Sequence, residues 1–216
     1  MTSAPLIYFA DPMCSWCYGF APVIERVRAE YGAAFGVSLV MGGLRPGPSA
    51  PMQVAGLASV REHWEHVAAA SGQPFDLRFF ERPSFVYDTE PASRAVVCAR
   101  RMAPARDFEM LGALQRAFYA DGRDVTSSDV LCDVAHELGF DRADFAAQLA
   151  SDALRRLTAR DFSIAQAVGM TGFPALVAGG ADGTLTALVI GYQDFEVVET
   201  LLARWWAGQP QAALLQ

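Results

Sequence analysis

The chain has 216 residues, of which 52% are hydrophobic, so it can bury a core and is not intrinsically disordered. Its net charge of −7 argues against the phosphate neutralisation that usually drives nucleic-acid binding. It contains no lysine and no asparagine, which excludes a Schiff-base lysine and a phosphate-loop lysine.

The first elements are predicted to be a strand, a helix and a strand. Leu6–Ala10 is a short apolar run typical of a buried strand, and residues 35–41 form a second one. A helix between them should begin at Cys14 or Ser15. This order of elements is the unit that builds parallel sheets.

The first predicted helix has one apolar face and two residues that should shape it. Pro22 should kink the helix, because proline lacks a backbone N–H, and Gly32 should end it as a C-cap. The inner face is predicted to carry Phe20, Ile24, Val27 and Tyr31.

A segment rich in glycine and proline, residues 42–51, separates this start from a long region of helical periodicity. The region extends to about residue 160 and shows no convincing strand pattern. Its helices are predicted at 52–71, 91–102, 107–120, 127–139 and 141–150, followed by a last helix at 158–168.

The pattern returns to strands near the C-terminus. Ala175–Ala178 is a predicted strand, residues 179–183 a hairpin turn, and Thr184–Ile190 the returning strand. Asp194 should cap a final amphipathic helix. Two halves that contain strands therefore flank a helical block, which predicts one α/β domain with an all-helical insertion.

Two of the four cysteines are placed for thiol chemistry. Cys14 and Cys17 begin a helix directly after a strand, where unpaired amides and the helix dipole stabilise a thiolate. Cys14 at the exposed tip should attack disulfides, and Cys17 should resolve the mixed disulfide. Zinc ribbons also use this spacing, but Cys98 and Cys132 do not form the second ligand pair that a zinc site needs.

The absence of lysine limits what can stabilise the Cys14 thiolate: the helix terminus, or an arginine that the fold brings near. No apolar run approaches the length of a membrane span, and no signal peptide is visible. If Met1 is the native start, we expect a cytoplasmic protein whose thiols are kept reduced.

The sequence resembles the DsbA-like branch of the thioredoxin superfamily, and within it the cytosolic FrnE-like disulfide isomerases. The resemblance covers nearly the whole chain. It rests on the cysteine motif, a proline five residues after it, a threonine-glycine-x-proline turn before the third strand, and parts of the helical block. These are Asp11–Gly19, Pro22, Thr171–Pro174, Gly122–Val125 and Leu138–Phe140.

The resemblance implies a thioredoxin-like fold with a large all-helical insertion. Residues 1–45 and 158–216 would form the thioredoxin-like domain, and residues 46–157 the insertion domain. It further implies that Pro174 is cis and lies beside the cysteine pair, where the backbone of Phe173 can pair with an extended substrate. Phe173 is bulkier than the family's usual residue, so it should narrow the groove or favour apolar substrates.

The implied activity is that of a thiol–disulfide oxidoreductase of the reductase or isomerase type, acting on disulfide-containing proteins or low-molecular-weight thiols. No tightly bound cofactor or metal is expected, and glutathione is a candidate thiol donor. Trp16, between the cysteines, would contact substrate, shield the disulfide, or do both. The Ser15-Trp16 dipeptide departs from the best-known members, which leaves the redox potential open.

Two other functions remain open. The first is a glutathione-dependent isomerase or transferase of the kappa-class or hydroxychromene-carboxylate isomerase type, although those proteins typically carry serine where Cys14 stands. The second is a non-enzymatic holdase or partner-binding module that keeps the groove without redox turnover. A Cys14 pKa near its free value, with no trapped mixed disulfide, would favour the second.

Several polar residues have a structural and a functional interpretation. Asp11 is favoured as a turn aspartate over a proton shuttle. His63 and His66 lie three apart on a helix, and a polar helical face is favoured over a metal site because no third ligand clusters with them. His136 is predicted at the surface.

The remaining predictions concern apolar and sulfur-containing side chains. Cys98 is predicted to be a core thiol, and Cys132 to lie at the edge of an apolar stripe; a disulfide between them is a minor alternative. An apolar rim around the reactive thiol would contain Met13, Met41, Trp16 and Phe173, although core packing explains Met41 equally well.

Overall fold

The structure is a computed structural model that describes residues 5–47, 50–52, 54–82, 84–180 and 182–208. In chain order, the first half contains β1 (Leu6–Ala10), α1 (Ser15–Gly19), α2 (Ala21–Phe35), β2 (Val37–Met41), α3 (Val54–Ser71), a 3-10 turn (Leu77–Glu81) and α4 (Glu90–Met102). The second half contains α5 (Asp107–Tyr119), α6 (Ser128–Glu137), α7 (Arg142–Leu149), α8 (Asp152–Ala167), β3 (Ala175–Gly179), β4 (Leu185–Ile190) and α9 (Phe195–Ala207).

The strands form a four-stranded sheet in the order β2-β1-β3-β4. β1 runs parallel to β2, with Leu6 opposite Val37, and antiparallel to β3, with Leu6 opposite Ala178. β3 is buried along its whole length, whereas β4 at the edge is mostly exposed. Helices α3 to α8 lie between β2 and β3 in the sequence. The predicted α/β fold with a helical insertion is therefore confirmed.

An aromatic cluster fills the helical insertion near its junction with α1. Trp64 on α3 is 1% exposed, and its ring lies 4.8 Å from the ring of Tyr119 on α5. Tyr119 in turn stacks on Tyr18 of α1, with 5.1 Å between the ring centres. Other rings around Trp64 are those of Phe75, Phe79, Phe80 and Phe118. The insertion and the cysteine-bearing helix therefore share one apolar core.

Two predicted features of the first helix differ from the structure. The helix is interrupted at Phe20, and Pro22 lies in the first turn of α2, where a missing N–H costs no helical hydrogen bond. Gly32 does not end the helix, which continues to Phe35. Gly36 ends it instead, with a positive φ of 66° and its N–H bonded to the Gly32 carbonyl.

One later boundary was also wrong, and one predicted cap lacks its hydrogen bond. The helix predicted to begin at residue 158 begins at Asp152, because Ser151 caps it by accepting a hydrogen bond from the backbone N–H of Leu154. Asp194 does occupy the N-cap position of α9, but its side chain makes no capping hydrogen bond and accepts one from the Tyr192 hydroxyl. In the part of the chain described here, no helix is both long enough and apolar enough to cross a membrane.

Candidate active site

Cys14 lies at the N-cap of α1, directly after β1 and a tight turn. Its backbone is extended (φ −92°, ψ 114°), and its carbonyl accepts the first helical hydrogen bond, from the N–H of Tyr18 at 3.1 Å. Its own N–H donates to the Asp11 carbonyl at 3.1 Å. The residue is 6% exposed, so its sulfur is nearly covered but borders the surface cleft described below.

Cys17 lies one turn further along α1 and is fully buried. Burial, together with the neighbouring Cys14 sulfur, raises the pKa of the Cys17 thiol well above its ordinary value. The buried Tyr8 hydroxyl on β1 is another close neighbour: burial and the two cysteines raise its pKa as well. The pair thus combines a sulfur beside the cleft with one sealed from solvent, and both are free thiols.

Phe173 and Pro174 lie beside the pair, although they are more than 150 residues away in the sequence. The peptide bond between them is cis. The Cys14 thiol donates to the Phe173 carbonyl across 3.5 Å. The Phe173 side chain is only 8% exposed, and its ring occupies the space where a side chain on Gly42 would lie. Phe173 therefore presents mainly its backbone to Cys14.

A cleft of about 310 Å³ opens beside Cys14. Its walls come from the end of β1 and the start of α1, from the loop after β2, from α3, and from the turn before β3. They are formed by Met13, Cys14, Ser15, Trp16, Leu44, Arg45, Val60, His63, Trp64, Tyr87, Gly172 and Phe173. The insertion therefore supplies one part of the wall, from α3 and Tyr87, and α1 together with the loops next to the sheet supplies the rest.

Trp16 is half-buried in this wall. Its ring meets the His63 ring edge-on, with 5.7 Å between centres, and lies 5.5 Å from the Tyr192 ring. Three of the four residues predicted for the apolar rim, Met13, Trp16 and Phe173, do line the cleft. Met41 is not among the lining residues and is fully buried in β2.

Arg45 and His63 are cleft residues that the sequence analysis did not identify. Arg45 lies within the glycine- and proline-rich segment of residues 42–51, and His63 was predicted to lie on a polar helical face. Burial, followed by the neighbouring His66, lowers the pKa of His63. Neither side chain belongs to a periodic pattern or a motif, so nothing in the sequence alone signals that they face Cys14.

Asp11 has no solvent exposure. Its carboxylate is hydrogen-bonded to the loop after β1 and to the loop after β2. One carboxylate oxygen accepts a hydrogen bond from the N–H of Met13 at 2.9 Å, and the other from the N–H of Leu44 at 2.8 Å. The predicted turn role of Asp11 is therefore confirmed. Burial raises the pKa of this carboxyl to about 6, even though the hydrogen bonds oppose the shift.

The residues that line the cleft do not include His66, His136, Cys98 or Cys132. Among the described residues, no group of three or more histidines, cysteines or acidic residues could hold a metal ion. Cys98 and Cys132 are buried free thiols, and burial raises the pKa of Cys98 to about 12. His66 and His136 are exposed, as expected for polar helical faces.

Several solved structures resemble this chain over nearly its whole length. A candidate protein disulfide isomerase from Nitrosomonas europaea is 36% identical, with a TM-score of 0.86, and the match covers 96% of this chain and 100% of that one. The cytosolic disulfide reductase DsbM from Pseudomonas aeruginosa is 28% identical, with a TM-score of 0.76, and covers 94% of this chain and 100% of its own. DsbM has also been crystallised with glutathione.

Among curated proteins, the ClpXP adapter protein SpxH of Bacillus subtilis is 22% identical over 205 residues. The alignment covers 94% of this chain and 68% of the relative. The family model described as the DSBA-like thioredoxin domain matches residues 6–203, from β1 into α9. With the sheet, the helical insertion and the Cys14–Cys17 pair in place, the chain belongs to the family of DSBA-like thioredoxin domains.

Proposed function

We propose that the chain is a thiol–disulfide oxidoreductase that reduces or isomerises disulfides through a mixed disulfide at Cys14. The observation that carries this proposal is the contrast between the two sulfurs of one helix. Cys14 borders an open cleft, whereas Cys17 is sealed one turn deeper. Such an arrangement suits one attacking and one resolving thiol. The reaction class is supported by the similarity to DsbM, a cytosolic disulfide reductase.

Reduction of a substrate disulfide proceeds through two successive thiol–disulfide exchanges. The Cys14 thiolate attacks one sulfur of the substrate disulfide and releases the other as a thiolate, which takes a proton from solvent. Cys17 then loses its proton, attacks the Cys14 sulfur and releases the second half of the substrate as a thiol. Two electrons pass to the substrate, and the protein is left with a Cys14–Cys17 disulfide that a thiol donor reduces again.

The neighbouring residues fit supporting roles in this reaction. The Phe173 carbonyl, 3.5 Å from the Cys14 sulfur, is placed to pair with the backbone of an extended substrate. Pro174 adds no N–H that would compete for that pairing. Trp16 lines the cleft beside Cys14 and offers an aromatic surface to a bound substrate.

Glutathione is the thiol donor that we propose, and the cytosol is the compartment. The support for both is the relative DsbM, a cytosolic reductase crystallised with glutathione. The cleft near Cys14 has a volume of about 310 Å³, at the small end of the range for small-molecule sites, which suits one arm of a low-molecular-weight thiol.

The proposal is tested by following insulin disulfide reduction with glutathione as donor. We expect wild-type protein to accelerate the reaction and Cys14→Ser to abolish the acceleration. Cys98→Ala is the matched control, because it removes a buried thiol that is not part of the cleft. Activity that survives in Cys14→Ser would contradict the proposal.

A partner-binding role is the second candidate, favoured by one observation: the curated relatives carry the name of a ClpXP adapter. An adapter that uses the cleft only for binding would keep its partner in the Cys14→Ser, Cys17→Ser double variant. A redox enzyme would lose its captured disulfide partners in that variant.

A further inference from the structure

We propose that the cleft selects small disulfides that carry a carboxylate close to the sulfur, and that Arg45 is the residue that recognises the carboxylate. This inference rests on the proposed function and specifies the substrate class of the same site. Arg45 and Cys14 line the same cleft, so a ligand attached to that sulfur shares the cleft with this cation.

Hydrogen bonds hold the backbone of Arg45 at the wall of the cleft. Its N–H donates to the Thr89 hydroxyl at 3.1 Å, and its carbonyl accepts from the Thr89 N–H at 3.0 Å. One residue earlier, the N–H of Leu44 is bonded to Asp11. The guanidinium lies 5.5 Å from the centre of the Tyr87 ring, another wall residue.

Arg45 differs from many other arginines in the described part of the chain, because it has no ion-pair partner there. Many exposed arginines of this acidic protein form ion pairs, for example Arg61 with Glu65 at 3.1 Å and Arg142 with Asp133 at 3.0 Å. No such pair with Arg45 occurs among the described residues. A cation that faces a cleft without an internal partner is available to a ligand anion.

The cleft also has no acidic side chain among the residues that line it, in a chain with a net charge of −7. Asp11 and Asp88 lie close in the structure but are not lining residues. The Asp11 oxygens accept hydrogen bonds from the N–H groups of Met13 and Leu44, and an Asp88 oxygen accepts from those of Gly47 and Glu90. Burial, followed by the neighbouring His66, lowers the pKa of His63, which disfavours its charged form. Arg45 is therefore the permanent cation among the residues that line the cleft.

The rest of the wall suits a short aliphatic arm. Met13, Leu44 and Val60 are apolar, and Trp16 and Trp64 add aromatic faces. A carboxylate separated from sulfur by a few methylene groups would place its chain against this apolar wall and its charge at Arg45. A cationic arm of the same length would meet Arg45 with like charge, which costs binding energy.

The test compares three small disulfides that differ in charge: 3,3′-dithiodipropionate, bis(2-hydroxyethyl) disulfide and cystamine. Pre-reduced protein is mixed with each under single-turnover conditions, and oxidation of the pair is followed by stopped flow. Each rate is divided by that of a free neutral thiol with the same disulfide, which removes differences in intrinsic reactivity. We expect the normalised rate for the dicarboxylate to exceed that for cystamine about tenfold or more at low salt.

The variant Arg45→Gln should bring these normalised rates to within about twofold of each other, and Arg45→Lys should retain most of the preference. Arg204→Gln is the matched control: it removes an exposed arginine on α9, outside the cleft, and should leave the preference intact. High salt should weaken the preference of the wild-type protein.

The outcomes separate the two proposals. Reaction with the neutral disulfide but equal normalised rates for all three compounds would overturn the role of Arg45 alone, as would a preference that survives in Arg45→Gln. Failure of the reduced protein to react with any of the three would overturn the proposed function together with this inference.

Discussion

Asp11 illustrates how one buried carboxyl can organise a reactive site without touching substrate. Its two oxygens fix Met13, the residue before the attacking cysteine, and Leu44, at the start of the opposite wall. Its charge also contributes to raising the pKa of the Cys17 thiol. The price is a carboxylate with no solvent exposure, whose pKa rises to about 6.

This shift makes the stability of the protein depend on pH in a definite direction. The folded state binds the Asp11 proton more tightly than the unfolded state, whose carboxyl titrates near 3.8. The stabilisation is fully present below pH 4 and is lost as the pH rises to about 6, by roughly 3 kcal/mol in total. The free energy of unfolding of wild type relative to Asp11→Asn should therefore fall between pH 4 and pH 7.

Chemical denaturation at several pH values measures this difference. Asp182→Asn is the matched control with the opposite sign, because hydrogen bonds from Thr184 lower the pKa of Asp182. A difference between wild type and Asp11→Asn that does not change with pH would refute the assignment.

Part of the candidate site is predictable from the sequence. Two motifs, and the family resemblance that rests on them, point to Cys14, Cys17, Phe173 and Pro174. Arg45 was missed because its position depends on hydrogen bonds to Thr89, 44 residues away, which no local pattern encodes.

Two glycines, Gly32 in α2 and Gly42 after β2, have different surroundings. Gly32 lies within α2, and a methyl group added there would meet nothing within 4 Å. Gly42, just after β2, faces the Phe173 ring, and an added Cβ would lie 2.1 Å from it. Sequence alone could not distinguish these positions, because the Phe173 ring reaches Gly42 only in the folded chain.

Two alanine substitutions test this contrast. Gly32→Ala should raise the free energy of unfolding by about 0.5–1 kcal/mol, because alanine favours the helix. Gly42→Ala should lower it by about 1–3 kcal/mol, because the Phe173 ring must move out of a packed position. Denaturant titration of both variants provides the measurement, and unchanged stability in Gly42→Ala would contradict the packing described here.

In the folded molecule, side chains of the insertion and of α8 make hydrogen bonds with β2 and with the loop that follows β1, and an ion pair joins the insertion to α8. The Tyr87 hydroxyl, between the 3-10 turn and α4, donates to the carbonyl of Met13. Arg100 on α4 donates to the Leu39 carbonyl of β2 at 2.8 Å and pairs with Asp161 on α8. The architecture was predictable from the alternation of strand and helix patterns, but these cross-links were not, because they join residues far apart in the chain.

The cross-links predict that the thioredoxin-like part and the insertion unfold together. The domain division at residues 45/46 and 157/158 remains a prediction, and it need not correspond to independent folding. Thiol labelling in increasing denaturant, read by mass spectrometry for Cys17 and Cys98 separately, should show the same midpoint for both. Labelling of Cys98 at a lower denaturant concentration would instead show an insertion that unfolds on its own.

The central claim is that Cys14 attacks and Cys17 resolves, and trapping the intermediate tests it most directly. Reduced Cys17→Ala protein is mixed with a small disulfide, and the product is analysed by intact mass and peptide mapping. The mechanism predicts that the Cys17→Ala protein carries one stable adduct on Cys14, with the mass of half of the disulfide. Wild-type protein should carry no lasting adduct. An adduct confined to Cys98 or Cys132, or no adduct with a disulfide that wild type reduces, would contradict it.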